Sequence, residues 1–591
     1  MSFLSMNFLL FLAVAILGYY VIPKRLQWVW LLLFSYIFYL ASGTTAVVFI
    51  LATTVTTFLG GLILEYLDGK MDRELNGQTA GKLNGQTSGG LNSQTTRELN
   101  SQTAGKLNGQ TSGGLNSQTT RELDTPPDKQ TIPSPAPSSA AITSTPSLTP
   151  EQKKAVKARY KRNKKSIAAA VLLINFGILA VLKYRNFAVG NVNQLFGTDF
   201  ALGKLILPLG ISFYTFQSMG YLIDVYRGKY APDHNLFRFA LFVSFFPQIL
   251  QGPIGRYDRL ASQLFSQRKF SLERVERGLQ LMLWGYFKKI VIADRAAVVV
   301  NEVFGNYEAY TGIAVIMGVL CYSIQLYGDF SGGMDVVMGA AECFGISLDQ
   351  NFKRPYFARS ISDFWHRWHI TLGTWMKDYV FYPFSLSKGM NRFSKYCKKN
   401  LGRHAGRVLP VCIANLLVFF LVGVWHGPAW KYIVYGLYNG IIIAAGNLAA
   451  PLYQKAALAL HIPTESKAWG LVQIARTFLL VNISWYFDMA QDLKAAFIMM
   501  KNTVTGFSFS ALTDGTLMRL GLDKKDYLAL ILACGVLFTV SLLQENQVEI
   551  RCSLAKKPLA ARWGIYLMLL FAIPLLGQIN LTGGGFIYAQ F

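Results

Sequence analysis

Six histidines are present, and they differ in what they could do: His234, His366, His369, His404, His426 and His461. His426 closes the apolar run VCIANLLVFFLVGVW and is followed at once by Gly427 and Pro428. Gly lets a helix end, and Pro is tolerated at the first position of the next one. The chain is therefore expected to break at His426 and leave its imidazole at a helix junction, among backbone carbonyls with no intrahelical partner. A helix starting near Arg407 would place His426 about 28 Å along its axis. An ionisable residue that deep in an apolar setting is a candidate for function. An imidazole neutral near physiological pH is what a general base requires. Position alone leaves catalysis and a satisfied core histidine both open.

A second group lies in FKRPYFARSISDFWHRWHITLGTWMKDYVFYPF, residues 352–384, where Trp, Tyr and Phe alternate with Arg, His and Asp. On one helix Asp363, His366 and His369 would share a face at three-residue spacing, with Trp365 and Trp368 beside them. No uninterrupted apolar span exists here. An interfacial or re-entrant segment enclosed by protein is expected. The competing reading is an aromatic belt at headgroup level with snorkelling basic residues. His234 and His461 sit in short polar connections and His404 in a basic loop, so all three read as solvated or structural.

The elements that must position these residues are written in the composition. Of 591 residues, 52% are hydrophobic and only 15% charged, at a mean hydropathy of +0.30. Apolar runs recur near 3–21, 28–40, 45–64, 166–182, 236–250, 311–327, 408–425, 431–450, 470–487, 527–543 and 564–579, with mixed runs at 203–222 and 279–299. Many approach the roughly 20 residues that span a hydrocarbon core. The expected fold is an all-α polytopic membrane bundle of about ten to thirteen helices around a central tunnel. The first run lacks a basic n-region, since Lys24 and Arg25 follow it, so a retained helix is expected rather than a signal peptide. The net charge of +25 sits in loops such as EQKKAVKARYKRNKK at 151–165 and SKGMNRFSKYCKKNLGRHAGR at 387–407. This is the pattern of cytoplasmic loops that face anionic lipid, not of a nucleic-acid binder. The same loops could draw an anionic acyl donor. The six cysteines are scattered without CxxC spacing, and neither a disulfide framework nor a metal site is expected.

Residues 73–96 are repeated at 97–120 with one change, Gly77 to Ser101, and an octad xxLNxQTx recurs within each copy. One Leu per octad supplies too little apolar area to offset chain entropy. The following Pro/Ser/Thr-rich stretch is equally unsuited to a core. Three regions are thus expected: N-terminal membrane helices at 1–67, a disordered cytoplasmic insertion with its basic linker at 68–165, and a membrane core at 166–591.

The string QLYGDFSGGMDVVMGAAECFGISLDQNFKRPYFARSISDFWHRWHITLGTWMKDYVFYPF, at 325–384, resembles the signature of the membrane-bound O-acyltransferase family. The branch is that of the bacterial alginate O-acetylation protein. FPQILQGPIGRY at 246–257, VGVWHGPAW at 422–430 and GGGFIYAQF at 583–591 agree in order and spacing. The resemblance covers most of the chain outside the repeats. It implies that His426 is the family's near-invariant histidine and His369 its second, in Arg367–Trp368–His369, with both in catalysis. Asp363, His366, Arg367 and Trp425 are then candidates for substrate contact. One departure is visible: relatives commonly read FWRRWH where this chain reads FWHRWH, so His366 replaces an arginine.

What the resemblance implies is acyl transfer across a bacterial cytoplasmic membrane, with acetyl-CoA as donor, no bound cofactor and no metal. The acceptor would be an exopolysaccharide or cell-envelope glycan. Because this chain shows no extracytoplasmic domain of its own, a separate extracytoplasmic acetyltransferase or acceptor protein is an expected partner. D-alanyl transfer to teichoic acid keeps the fold and changes the acyl group. A transporter using Asp224, Asp329 and Asp335 is the reading from another class, though the membrane core shows no internal duplication.

Overall fold

The computed structural model describes residues 3–41, 43–76, 148–203, 207–249 and 251–578. All regular structure among them is helical. Helix starts fall where side-chain oxygens can hold the first free amides. Asn235 accepts from the amides of Phe237 and Arg238, and Ser271, Ser387 and Ser466 cap three further helices. Asp523 and Asp526 form a reciprocal capping box ahead of Lys524–Glu545.

Seven described helices are long and apolar enough to cross a membrane: Thr44–Leu75, Pro150–Phe196, Ile313–Cys343, Gly402–His426, Trp430–Ala459, Lys524–Glu545 and Leu559–Leu576. The expectation of ten to thirteen counted every apolar run as a pass, and length separates them. Gln27–Leu40 has 14 residues and Met6–Val21 and Ile211–Tyr226 have 16 each, or about 21–24 Å against a hydrocarbon core of about 30 Å. The run at 236–250 is two short helices, Leu236–Ser244 and Phe246–Ile249, parted at Phe245. Lys467–Met489 is long enough but carries Arg476, Asn482 and Asp488.

The chain divides into two compact units, residues 1–66 with 162–591, and residues 67–161. In the smaller unit the insertion expected to be disordered from 68 to 165 is helical at both ends. One helix continues to Leu75 and the other starts at Pro150. Glu74 accepts from Arg159 at 2.5 Å and from the Tyr160 hydroxyl at 3.0 Å. The basic linker lacks apolar residues on most faces but is rich in helix formers, and Val156 and Tyr160 are buried. The remainder of the repeats and the C-terminal GGGFIYAQF lie outside the described residues.

The larger unit is built by close helix contact. Gly278 and Gly285 on Leu272–Tyr286 face Gly339 and Gly332 on Ile313–Cys343, and a Cβ on Gly285 would stand 2.5 Å from the Gly332 carbonyl oxygen. Small residues let membrane helices approach backbone to backbone. Gly423 and Gly436 do the same between Gly402–His426 and Trp430–Ala459. Two apolar clusters result, one around the N-terminal helices and one around residues 313–330, 352–379 and 419–443. Both candidate catalytic histidines belong to the second region.

Candidate active site

The helix carrying His426 begins at Gly402, earlier than Arg407, and ends at His426. Its 25 residues extend about 36 Å. The chain does break at Gly427, and the next helix starts at Trp430, so Pro428 lies before that helix and not in its first turn. Gly427 is required by packing, because a Cβ there would meet Tyr432 Cε2 at 2.5 Å. The exposed carbonyls of this helix end are not left to chance. Lys183 Nζ donates to Trp425 O at 2.5 Å, and the Tyr184 hydroxyl donates to Val424 O. Both come from Pro150–Phe196, and a cation at a helix C-terminus is also favoured by the helix dipole.

His426 is buried. Its Nδ1 lies 3.3 Å from Oδ1 of Asp488, itself buried at the end of Lys467–Met489. The other carboxylate oxygen accepts from the Tyr322 hydroxyl at 2.7 Å. Lys431 Nζ donates to the backbone oxygens of Asp488 at 3.2 Å and Ala490 at 2.6 Å, which fixes the turn that presents the carboxylate. The Tyr435 ring packs edge-on against His426 with centroids 4.9 Å apart. A carboxylate on Nδ1 selects the tautomer protonated there and leaves Nε2 with a lone pair.

The second histidine is reached differently. Asp363, His366 and His369 do not share one helical face as their spacing suggested. The helix Ile361–Arg367 ends, Trp368 is extended, and His369 adopts φ 48°, ψ 51° before Ile370–Met376 begins. This left-handed conformation costs a non-glycine residue roughly 1–2 kcal/mol. The surroundings enforce it. Ile370 N donates to Asn351 O at 3.1 Å, and Thr371 donates to Asn351 Oδ1 from its amide at 2.9 Å and from its hydroxyl at 2.8 Å. Lys353 N is bound to Arg367 O at 2.9 Å. The break turns His369 inward between Phe330 and Trp425, with centroid distances of 4.9 and 5.3 Å. His426 packs on the same Trp425 ring at 5.2 Å, so one indole joins the two imidazoles.

His369 lines a cavity of about 300 Å³ together with Trp365, His366, Lys377, Asn415 and Val422. Val422 lies one turn before His426 on the same helix. His366 reaches this cavity, though its Nδ1 lies 2.7 Å from Ser362 O on its own helix. Asp363 and Arg367 are placed elsewhere. Arg367 Nε meets Asp363 Oδ1 at 2.9 Å, and its Nη1 meets Glu545 Oε1 at 3.0 Å. Arg354 joins the same glutamate at 2.5 Å. The network ties the segment 352–384 to the end of Lys524–Glu545, and neither Asp363 nor Arg367 lines the cavity. Trp425 is in the site, beneath both imidazoles. The carboxylates offered for a transport path are paired: Asp224 with Lys229 at 3.2 Å, Asp335 with Lys288 at 2.8 Å, and Asp329 with Lys289.

Spacing could not reveal Asp488, 62 positions from His426. The one available signal was an acid directly after the apolar run at 470–487. Asn351, Tyr322 and Lys183 carried none.

Helices throughout the described residues, seven of them candidate membrane spans, define a polytopic membrane protein, and the helix break at Trp368–His369 and the buried His–Asp pair form its candidate site. The family model of the membrane-bound O-acyltransferase family matches residues 231–397. The chain is 37% identical over 330 residues to the "Probable alginate O-acetylase AlgI" of Pseudomonas putida, covering 55% of this chain and 61% of that one. With the protein of the same name from Azotobacter vinelandii it shares 33% identity over 377 residues, 63% of this chain and 69% of the relative. The "Peptidoglycan O-acetyltransferase" of Helicobacter pylori is 32% identical over 359 residues, 56% of this chain and 63% of the relative. The chain belongs to the membrane-bound O-acyltransferase family. It spans 61% of the length of the Pseudomonas putida relative.

Proposed function

We propose that this protein transfers an acetyl group, brought by a cytoplasmic thioester donor such as acetyl-CoA, across a bacterial cytoplasmic membrane for O-acetylation of an exopolysaccharide or envelope glycan. The observation that carries the reading is the buried pair of His426 and Asp488, joined through the Trp425 ring to His369, which lines a cavity of about 300 Å³. With Nδ1–H directed to Asp488, Nε2 of His426 takes the proton of an acceptor hydroxyl as its oxygen attacks the thioester carbonyl. The new C–O bond forms, the C–S bond breaks, and the thiolate leaves with the proton returned from the imidazolium. His369 is placed to orient the donor or to face the developing oxyanion. An extracytoplasmic acetyltransferase or acceptor protein is the proposed partner that completes delivery to the polymer. The names carried by the relatives from Pseudomonas, Azotobacter and Helicobacter support acetyl over D-alanyl, since teichoic acid D-alanyltransferases are more distant.

The test measures ester-linked acetate on secreted polysaccharide and envelope glycans, comparing wild type with His426→Ala at matched membrane levels. Loss of acetate from one polymer, by about 10²-fold or more, is expected. Unchanged acetate on every polymer in cells where the wild-type gene is active would remove His426 from the chemistry. Dependence on a carrier protein in place of coenzyme A would turn the reading to D-alanyl transfer.

A further inference from the structure

Away from the histidines, a second cavity of about 370 Å³ lies among Leu272–Tyr286, Ile313–Cys343, residues 350–354 and the three last described helices, Lys524–Glu545, Ile550–Ala555 and Leu559–Leu576. Its volume is that of a ligand site. Its lining is sorted by chemistry. Trp284, Leu537, Val540 and Met568 give apolar walls, while Lys353, Arg354 and Arg551 bring positive charge to the lining. On the cavity lining, buried Lys288 is already satisfied, donating to Ser331 Oγ at 2.9 Å and paired with Asp335 at 2.8 Å.

These basic residues are not neutralised in the same way. Glu545 is shared by Arg354 at 2.5 Å and Arg367 at 3.0 Å, and Glu342 by Arg551 at 2.6 Å and Arg277 at 3.4 Å. Lys353 is exposed and makes no ion pair among the described residues. Arg367 is also held by Asp363 at 2.9 Å, so five cations stand against three carboxylates. The apolar walls come partly from Lys524–Glu545 and Leu559–Leu576, the two least buried of the candidate spans. Such helices have apolar faces free for lipid, which an acyl chain in the cavity could reach.

We propose that this cavity binds one anionic membrane phospholipid, its phosphate at Lys353 and Arg551 and an acyl chain along Trp284, Leu537 and Met568. Basic pockets between membrane helices recognise headgroups in this manner. A soluble phosphate compound would use the basic residues and leave the apolar walls in water. A zwitterionic lipid would fill the walls and leave the surplus charge unmatched. The site is independent of the acyl-transfer reading.

The experiment is thermal unfolding of the purified full-length protein in detergent, titrated separately with phosphatidylglycerol, phosphatidylcholine, inorganic phosphate and coenzyme A. Phosphatidylglycerol should raise the midpoint, phosphatidylcholine and phosphate should not, and any shift from coenzyme A at the donor site should persist in Lys353→Glu. Lys353→Glu should keep the lipid-free midpoint and weaken the phosphatidylglycerol response about tenfold in concentration. Leu537→Trp, which fills the cavity, should abolish the response. An equal shift with phosphatidylcholine, a shift with phosphate alone, a coenzyme A shift that Lys353→Glu abolishes, or an unchanged phosphatidylglycerol response in Lys353→Glu would overturn the proposal. Should Leu537→Trp fail to accumulate, the Lys353→Glu titration still decides.

Discussion

A carboxylate 3.3 Å from Nδ1 determines which nitrogen of His426 is left to accept a proton. Asparagine at 488 would keep the size and the Tyr322 contact, but it can offer its NH₂ to the ring and favour the other tautomer. Asp488→Asn is therefore expected to lower kcat by about two to four orders of magnitude with KM nearly unchanged. Activity within about threefold of wild type would show that His426 needs no orienting partner. His369 makes a separate demand, because its backbone is left-handed at φ 48°. Replacing it removes the imidazole in every case, but only glycine occupies that conformation without strain. Both His369→Ala and His369→Gly should be inactive, with the glycine variant the more stable by roughly 1 kcal/mol. Equal unfolding midpoints would show that the loop relaxes in the alanine variant. In both cases the side chain's chemistry and the backbone that aims it are separable by experiment.

Single helix contacts decide whether these residues meet. The helix that ends in His426 lies against Trp430–Ala459, and a Cβ on Gly436 would be 2.2 Å from Phe419 O, whereas one on Gly446 of the same helix would meet nothing within 4 Å. Gly436→Ala should destabilise the protein by about 1–3 kcal/mol and reduce acyl transfer, while Gly446→Ala changes neither. Comparable unfolding and activity in both variants would show that the hairpin has slack. At this scale the sequence was legible wherever one residue carries the signal. The break after His426 was announced by Gly427–Pro428, and the lack of an unbroken span at 352–384 by its mixed composition. The break at Trp368–His369 was not announced, since neither residue is Gly or Pro and the i, i+3 pattern fits a continuous helix. It is imposed by Asn351, a tertiary contact that periodicity does not register. Asp488 escaped for the same reason: it meets His426 only once two helices are packed. Among the described residues seven of the apolar runs form helices long enough to span on their own, because hydropathy marks a run without measuring how long its helix stays unbroken.

The whole molecule combines a membrane core bearing the site with an insertion whose composition cannot build a core. Within the smaller unit, the Glu74 carboxylate accepts from Arg159 and Tyr160, so the two helices that flank the insertion lie side by side. Pro150 begins the second of them nine residues before Arg159, about 14 Å along the axis. A linker of about ten Gly and Ser residues reaches more than about 30 Å when extended, more than the roughly 14 Å of helix between Arg159 and Pro150. Exchanging about seventy residues for about ten shortens the loop by nearly three doublings, which favours the closed pair by about 2 kcal/mol. Replacement of 79–147 by such a linker should therefore leave membrane accumulation and polymer acetylation at wild-type levels and raise the unfolding midpoint slightly. The measurement is acetate per unit of membrane-inserted protein beside a melting curve. A fall in acetate with the midpoint intact would assign the repeats a part in donor or partner binding. A fall in both would mean that the repeats pack on the protein and that one Leu per octad is enough to hold them there.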